Sequence, residues 1–331
     1  MAIVFHENVL EHKQWEGHPE SPFRVRTIMK KMAGEDLWND IIPPVMITDE
    51  DVLKVHTKEH LERLKAGGNL PIDPDTMLMD ETYELAMISA SIAVTAARIA
   101  KMGIPSLAIT RPPGHHAGKC TMGGFCYLNN VSIATEAVGV RTAIIDLDVH
   151  HGNGTEEIFY GRSDVLFIDL HETGLYTGTG NVLNMGTGEG ERYTVNVPMP
   201  LASGNRAYRK AVDEIVVPIL REFEPELIIV SLGVDAHYCT SGSHMSLNTE
   251  GYIDICRTLI GESNGNIAFV LEGGYHLRAT AEVVAGVMAA IEGKEIHPEY
   301  NEDRFENIKF SQEIDRLKEH IGKYWNLGGS E

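Results

Sequence analysis

Short continuous runs of apolar residues recur along the chain, each closed by a polar or glycine-bearing cluster. Residues 2–5, 106–110, 142–145, 165–170, 227–232 and 267–271 are predominantly apolar rather than alternating. That is the pattern of strands buried on both faces of a parallel sheet. Between them, apolar positions recur at helical spacing over 49–55, 58–64, about 80–102, 129–138, 205–223 and 249–260, and residues 311–324 form a charged amphipathic stretch. Residues 17–24 are a proline-punctuated loop that opens a helix. Residues 67–74 and 177–190 read as loops. Strands alternating with helices predict an α/β fold, a mostly parallel central sheet with helices on both faces. No repeat, low-complexity segment or linker divides the chain. We expect a single domain over 1–331, with its core in 1–295 and a helical tail in 296–331.

Composition narrows the function without naming it. The length of 331 residues would allow two domains, and 43% hydrophobic residues supply ample core. A net charge of −20 argues against a protein that grips nucleic acid. It suits a cationic substrate, and it equally suits plain solubility. The four cysteines, Cys120, Cys126, Cys239 and Cys256, form no CxxC pair, which points to reduced thiols and a cytoplasmic setting. The polar N-terminus predicts neither a signal peptide nor a membrane span.

The run at 142–145 leads into Asp146-Leu147-Asp148-Val149-His150-His151-Gly152-Asn153-Gly154. So many ionisable groups beside a buried strand are costly unless they are paired or used. Asp148 and His150 are two apart, so on an extended strand end they face the same way. Together they supply two of the three protein ligands of a catalytic zinc site. Open parallel sheets bind ligands beyond the carboxyl ends of their strands. His115 and His116, Asp235 and Tyr275 each follow another predicted strand, so one sheet edge would collect them from both halves of the chain. Asp235 fits as the third ligand beside those two, although taken alone it reads better as a helix cap or a solvated loop carboxylate. His115 and His116 are the acid–base candidates, because histidine titrates in the range that amide hydrolysis needs.

Five segments carry a resemblance to a known family. Arg111-Pro112-Pro113-Gly114-His115-His116-Ala117, Gly124-Phe125-Cys126-Tyr127-Leu128-Asn129-Asn130, the 146–155 run, Ser231-Leu232-Gly233-Val234-Asp235-Ala236-His237 and Leu271-Glu272-Gly273-Gly274-Tyr275 resemble the histone deacetylases. The closer likeness is to the class II branch and to microbial acetylamine hydrolases, which the 17–22 block also resembles. The resemblance covers about residues 1–290. It implies the arginase–deacetylase fold and zinc-dependent removal of acyl groups from amines, with Fe(II) as compatible with the ligand set as Zn(II). It pairs His115 with Asp146 and His116 with Asn153, making His116 the main acid–base group and His115 an electrostatic orienter. It makes Tyr275 the oxyanion donor. Phe125 and Tyr176, with Gly124, would wall a channel for a linear alkyl chain, and Asp75, or else Asp73, would be a carboxylate at its rim. It further implies potassium at Asp146, Asp148, His150, Asp169 and Leu170, and a second monovalent site at the carbonyls of Phe159, Arg162 and Val165.

The chain also departs from the family. Asn153 stands where many relatives have aspartate, and an amide cannot stabilise an imidazolium as a carboxylate does. Tyr176-Thr177-Gly178 replaces a Phe-Pro-Gly segment. Gly242 falls where class II members place a leucine at the channel mouth. Two other readings stay open. An arginase-like enzyme would hold two manganese ions, but the last aspartate of its Asp-x-His-x-Asp run, counted from Asp148, would fall at Gly152. A non-catalytic acetylamine-binding protein would lack a ligand or the tyrosine. The expected partner is an acetylated amine, either a protein acetyl-lysine, an acetylpolyamine or a small metabolite, and a homo-oligomer is open.

Overall fold

Every apolar run becomes a strand in a computed structural model of the chain, which describes residues 1–328. The strands are β1 (Ala2–Val4), β2 (Ile41–Ile42), β3 (Leu70–Asp73), β4 (Thr76–Leu78), β5 (Ser106–Ala108), β6 (Thr142–Asp146), β7 (Val165–Glu172), β8 (Thr194–Met199), β9 (Leu227–Leu232) and β10 (Ile267–Leu271). Eight of them make one sheet in the order β2-β1-β5-β10-β9-β6-β7-β8. Its pairings are all parallel. The four strands that precede the candidate residues, β5, β10, β9 and β6, are therefore adjacent at the centre of the sheet.

The helices are α1 (Phe23–Gly34), α2 (Asp49–Val52), α3 (Lys58–Ala66), α4 (Thr82–Ala100), α5 (Asn130–Val138), α6 (Asn153–Phe159), α7 (Asn205–Ala211), α8 (Val217–Phe223), α9 (Thr249–Glu262), α10 (Leu277–Glu292) and α11 (Phe310–Ile321). One layer is α4 against α5 and the central strands. The other runs α1, α10, α9, α7 and α8, and α11 joins it against α7. α4 is long and apolar enough to cross a membrane by composition, yet 78% of that stretch is buried inside the protein. Its alanines let it lie close to the sheet and to α5, which explains the composition without a bilayer.

Several boundaries differ from the sequence reading, each for a physical reason. Residues 67–74 are not all loop, since β3 pairs antiparallel with β4 around the Asp73-Pro74-Asp75 turn. β8 was not expected: it carries Pro198, which removes a strand donor, and it is tolerated because β8 is the edge strand. β2, only two residues long, was also unannounced. α10 is a full helix beginning straight after the Tyr275 segment, with the His276 side chain accepting from Ala279 N at its start and Gly293 left-handed at its end. The expected single helix over 205–223 is α7 and α8 joined through a π-turn at Val212–Val216.

Candidate metal centre and acid–base site

β6 ends at Asp146, so Asp148 and His150 lie beyond the strand, not on it. A side-chain staircase makes them converge instead. Asp146 Oδ1 accepts from Asp148 N at 3.0 Å, and Asp148 Oδ1 accepts from His150 N at 3.0 Å. Asp235 comes in from the end of β9, with Oδ1 accepting from Val149 N at 3.0 Å. His150 Nδ1 is then 2.9 Å from Asp148 Oδ1 and 3.2 Å from Asp235 Oδ2. Donor atoms of all three residues lie within 4.8 Å of one another.

These donors are arranged for a cation. Asp148 and Asp235 are both almost fully buried. Burial, and then the charge of Asp148, push the Asp235 carboxyl above its ordinary range. Burial opposes a charged His150, but the Asp235 and Asp148 carboxylates override it and raise its pKa to about 10. Apart from the ion-pair contact with His150 Nδ1, Asp235 Oδ2 has no hydrogen-bond partner. Unpaired buried carboxylates are costly, and a divalent ion among two carboxylates and an imidazole relieves both the repulsion and the missing partner. The backbone leaves room for this. A Cβ on Gly273 would stand 2.4 Å from Asp235 Oδ2 and 2.5 Å from Asp148 Oδ2. Gly273 N instead donates to Asp148 Oδ2 at 2.9 Å.

The two histidines lie side by side, their ring centroids 4.0 Å apart, with unlike partners. His115 Nδ1 is 3.1 Å from Asp146 Oδ2, and His116 Nδ1 is 2.7 Å from Asn153 Oδ1. Burial works against a charged His115, but Asp148 and Asp146 hold its pKa well above the ordinary value. Burial, and then the charges of His115 and His150, hold His116 well below it. The two neighbouring imidazoles are thus shifted in opposite directions, His115 upward and His116 downward. Tyr275 follows Gly274, whose φ is +120°. Its ring stands edge-on to Phe125 at 5.7 Å and beneath the Arg24 guanidinium at 5.1 Å. Burial, then the Asp235 charge, keep its phenol protonated and able to donate.

Aromatic residues continue outward. Phe125 has φ +68°, a strained conformation for a bulky residue, and Thr76 Oγ1 accepts from its amide at 2.9 Å. Tyr176 meets His116 edge-on at 5.1 Å and is 49% exposed, which places it at the opening of the site. Gly124 lies between them, and a Cβ there would come within 2.4 Å of His116 Cδ2. Asp73 is engaged locally, accepting from Asp75 N and Gly124 N, both at 2.9 Å. The exposed Asp75 is therefore the one whose carboxylate is left facing solvent. Gly242, at φ +99°, has nothing within 4 Å of the place where a Cβ would sit.

The residues of the expected monovalent sites fall in two places. Asp146 and Asp169 are cross-strand neighbours on β6 and β7. The Asp169 carboxylate already accepts from Gly152 N at 2.7 Å and faces His171 Nδ1 at 2.7 Å. Leu170 is buried beside it in β7. Phe159, Arg162 and Val165 span the turn from α6 into β7, where Phe159 O accepts from Arg162 N at 2.9 Å.

Two residues were missed by the sequence reading. Arg24 donates Nε to Gly274 O at 2.8 Å and Nη2 to Glu272 O. Its charge is balanced by buried Glu20, which also pairs with Arg111 at 2.6 Å. Glu272 accepts at Oε2 from Gly114 N at 2.6 Å and from His115 N at 3.2 Å. No local motif marks these contacts, because Arg24 and Glu272 reach backbone groups 157 or more positions away.

Comparison with known proteins gives a consistent result. Residues 18–291 match the family model described as histone deacetylase domain. The chain is 35% identical to a probable deacetylase of Archaeoglobus fulgidus, covering 98% of both chains. It is 34% identical to a histone deacetylase-like amidohydrolase of Pseudomonas aeruginosa, covering 83% of this chain and 79% of that one. The crystal structure of the HDA15 HD domain superposes with a TM-score of 0.90 at 31% identity, covering 98% of this chain and 94% of that chain.

Proposed function

This chain belongs to the histone deacetylase family, and from that premise we propose that it is a zinc-dependent deacetylase, hydrolysing the acetyl amide of acetyl-lysine to acetate and the free amine. The observation that carries this reading is the convergence of Asp148, His150 and Asp235 beside two histidines with unlike partners. Those three residues would hold one zinc ion, or Fe(II). Bound there, the metal would polarise the acyl carbonyl and acidify a water molecule.

The chain's own residues do the rest. His116, neutral, takes the proton from water and returns it to the leaving nitrogen. Asn153 Oδ1 accepts from His116 Nδ1 and fixes the tautomer, raising the ring's basicity less than a carboxylate would. His115, whose charged form Asp148 and then Asp146 favour, stabilises the negative charge that develops on the acyl oxygen. The Tyr275 hydroxyl donates to the same oxygen.

Phe125, Tyr176 and Gly124 would enclose the methylene chain, with Asp75 and Gly242 at the rim. The half-exposed Tyr176 and open Gly242 suit a substrate that continues outside the channel, which favours a peptide over a free acetylpolyamine. Potassium would bind at Asp146, Asp148, His150, Asp169 and Leu170, and at Phe159, Arg162 and Val165. Residues 1–295 would be the catalytic core, and 296–331 a tail docked through Phe310, Ile314 and Ile321. The free thiols and the acidic charge fit a cytoplasmic enzyme that touches neither nucleic acid nor membrane.

The test is competition between an acetyl-lysine peptide and an N-acetylpolyamine at matched concentrations, with and without a chelator. We expect chelator-sensitive acetate release, fastest from the peptide. Preference for the polyamine would reverse the substrate assignment. No release from any acetylated amine would leave a binding protein.

A further inference from the structure

We propose that Glu272 is a positioning residue for the acid–base pair: its carboxylate fixes the turn that carries His115 and His116. The proposal rests on the deacetylase reading and extends it to a residue outside the reacting set. The backbone around the histidines is held on two sides. Its carbonyls are served from the helices and their flanks. Pro112 O accepts from Ser89 Oγ at 2.8 Å and Asn130 Nδ2 at 3.1 Å. His115 O accepts from Gly154 N at 3.1 Å and Thr155 N at 3.2 Å. The inward amides of Gly114 and His115 have a different partner, Glu272 Oε2, at 2.6 and 3.2 Å. One carboxyl oxygen accepting both amide protons fixes the two amides relative to each other, and burial raises the carboxyl pKa to about 7, so the hold rests on the position of that oxygen rather than on full charge.

Glu272 is fully buried; one of its carboxyl oxygens lies within 4.8 Å of a ring nitrogen of His115 and of Cys126 Sγ, and its hydrogen bonds come from the two amides. Its other oxygen, Oε1, has no hydrogen-bond partner. A buried carboxylate held only by two amides of the catalytic turn has that turn as its evident purpose. Its sequence neighbours reach the rest of the site. Gly273 N donates to Asp148 Oδ2 at 2.9 Å, and Gly273 O accepts from Val234 N at 3.0 Å. Tyr275 comes two residues later. Arg24 clamps the segment through the carbonyls of Glu272 and Gly274. The four residues after β10 thus bear on the metal ligands, the phenol and the histidines together, and Glu272 is the one that reaches the histidines.

Proton transfer through His116 depends on its placement, and small displacements lower the rate without weakening substrate binding. The test compares Glu272→Asp with Glu272→Gln in the metal-loaded enzyme, using an acetyl-lysine peptide and, separately, acetohydroxamate as a probe of the metal site. Aspartate keeps the carboxyl group and loses the reach; glutamine keeps the reach and an oxygen acceptor. We expect E272D to lose on the order of 10-fold or more in kcat, with KM, metal content and hydroxamate affinity close to the parent. E272Q should keep kcat within about fivefold of the parent. Parent-like kcat in E272D, an E272Q no better than E272D, or metal loss in step with kcat would each overturn the assignment while leaving the deacetylase reading standing. A parent enzyme inactive on every acetylated amine would overturn both.

Discussion

Asp148, His150, Asp235, the paired histidines and Glu272 lie just past the ends of four adjacent central strands, whereas Asp75, Tyr176 and Gly242 lie on turns and loops away from those strands. In the first region a backbone amide or a second side chain fixes nearly every functional group: Val149 N on Asp235, Gly273 N on Asp148, Asn153 on His116. In the second, Tyr176 is half exposed and Gly242 has no neighbour where a side chain would begin. Rigid elements hold the chemistry, and adaptable ones face the substrate. Changes near the strand ends should therefore act on kcat and on the metal. Changes at the rim should act weakly and on KM.

The largest expected effect comes from removing a ligand. Asp235→Ala should abolish stoichiometric metal binding and lower kcat/KM by about 10³-fold or more, because the bound metal supplies several kcal/mol of transition-state stabilisation. Elemental analysis beside steady-state kinetics checks both. Next is Tyr275→Phe, which should lower kcat by on the order of 10²-fold or more with metal retained. Near-normal turnover in that variant would take the phenol out of the mechanism. At the rim, Tyr176→Phe should change kcat/KM by only about two- to fivefold, the scale of one partly solvated hydroxyl. A 10²-fold loss there would erase the distinction between the two regions.

The smallest effect is on stability, at a buried pair outside the reacting groups. His56 and His60 stack at 4.4 Å, and burial, then the charge of His60, lower the His56 pKa from 6.5 to about 3. A folded pKa below the unfolded one means that the unfolded chain takes up the proton first as pH falls. Stability should therefore drop as pH falls from about 6.5 toward 3, by up to about 1.4 kcal/mol per pH unit from this group. Denaturant titrations at pH 7 and pH 5 should show a shallower pH dependence in His56→Gln than in the parent. An equal dependence would assign the acid sensitivity to other groups.

The same contrast explains what could be read from sequence. The central strands were legible because continuous apolar runs mark strands covered on both faces, and the ligands because Asp148 and His150 follow such a run directly. The ligand geometry was legible only in part: the pair converges through the Asp146–Asp148–His150 staircase, where an extended strand end was expected. β8 was hidden by Pro198 at the sheet edge, and α10 by its immediate start after Tyr275. Glu272 stood inside a recognised motif, yet its partner is 158 residues away, so its contact could not be seen from spacing. The rim was least legible, because Tyr176-Thr177 and Gly242 depart from the pattern the rest of the chain resembles.

The most direct test of the central claim is a titration of the metal-free protein with Zn(II), following bound metal and acetate release from an acetyl-lysine peptide in the same samples. We predict that activity rises linearly and reaches its plateau at one ion per chain, and that Asp148→Ala shows neither tight binding nor turnover. Activity without metal, or a plateau that needs two ions per chain, would contradict a single-ion centre at Asp148, His150 and Asp235.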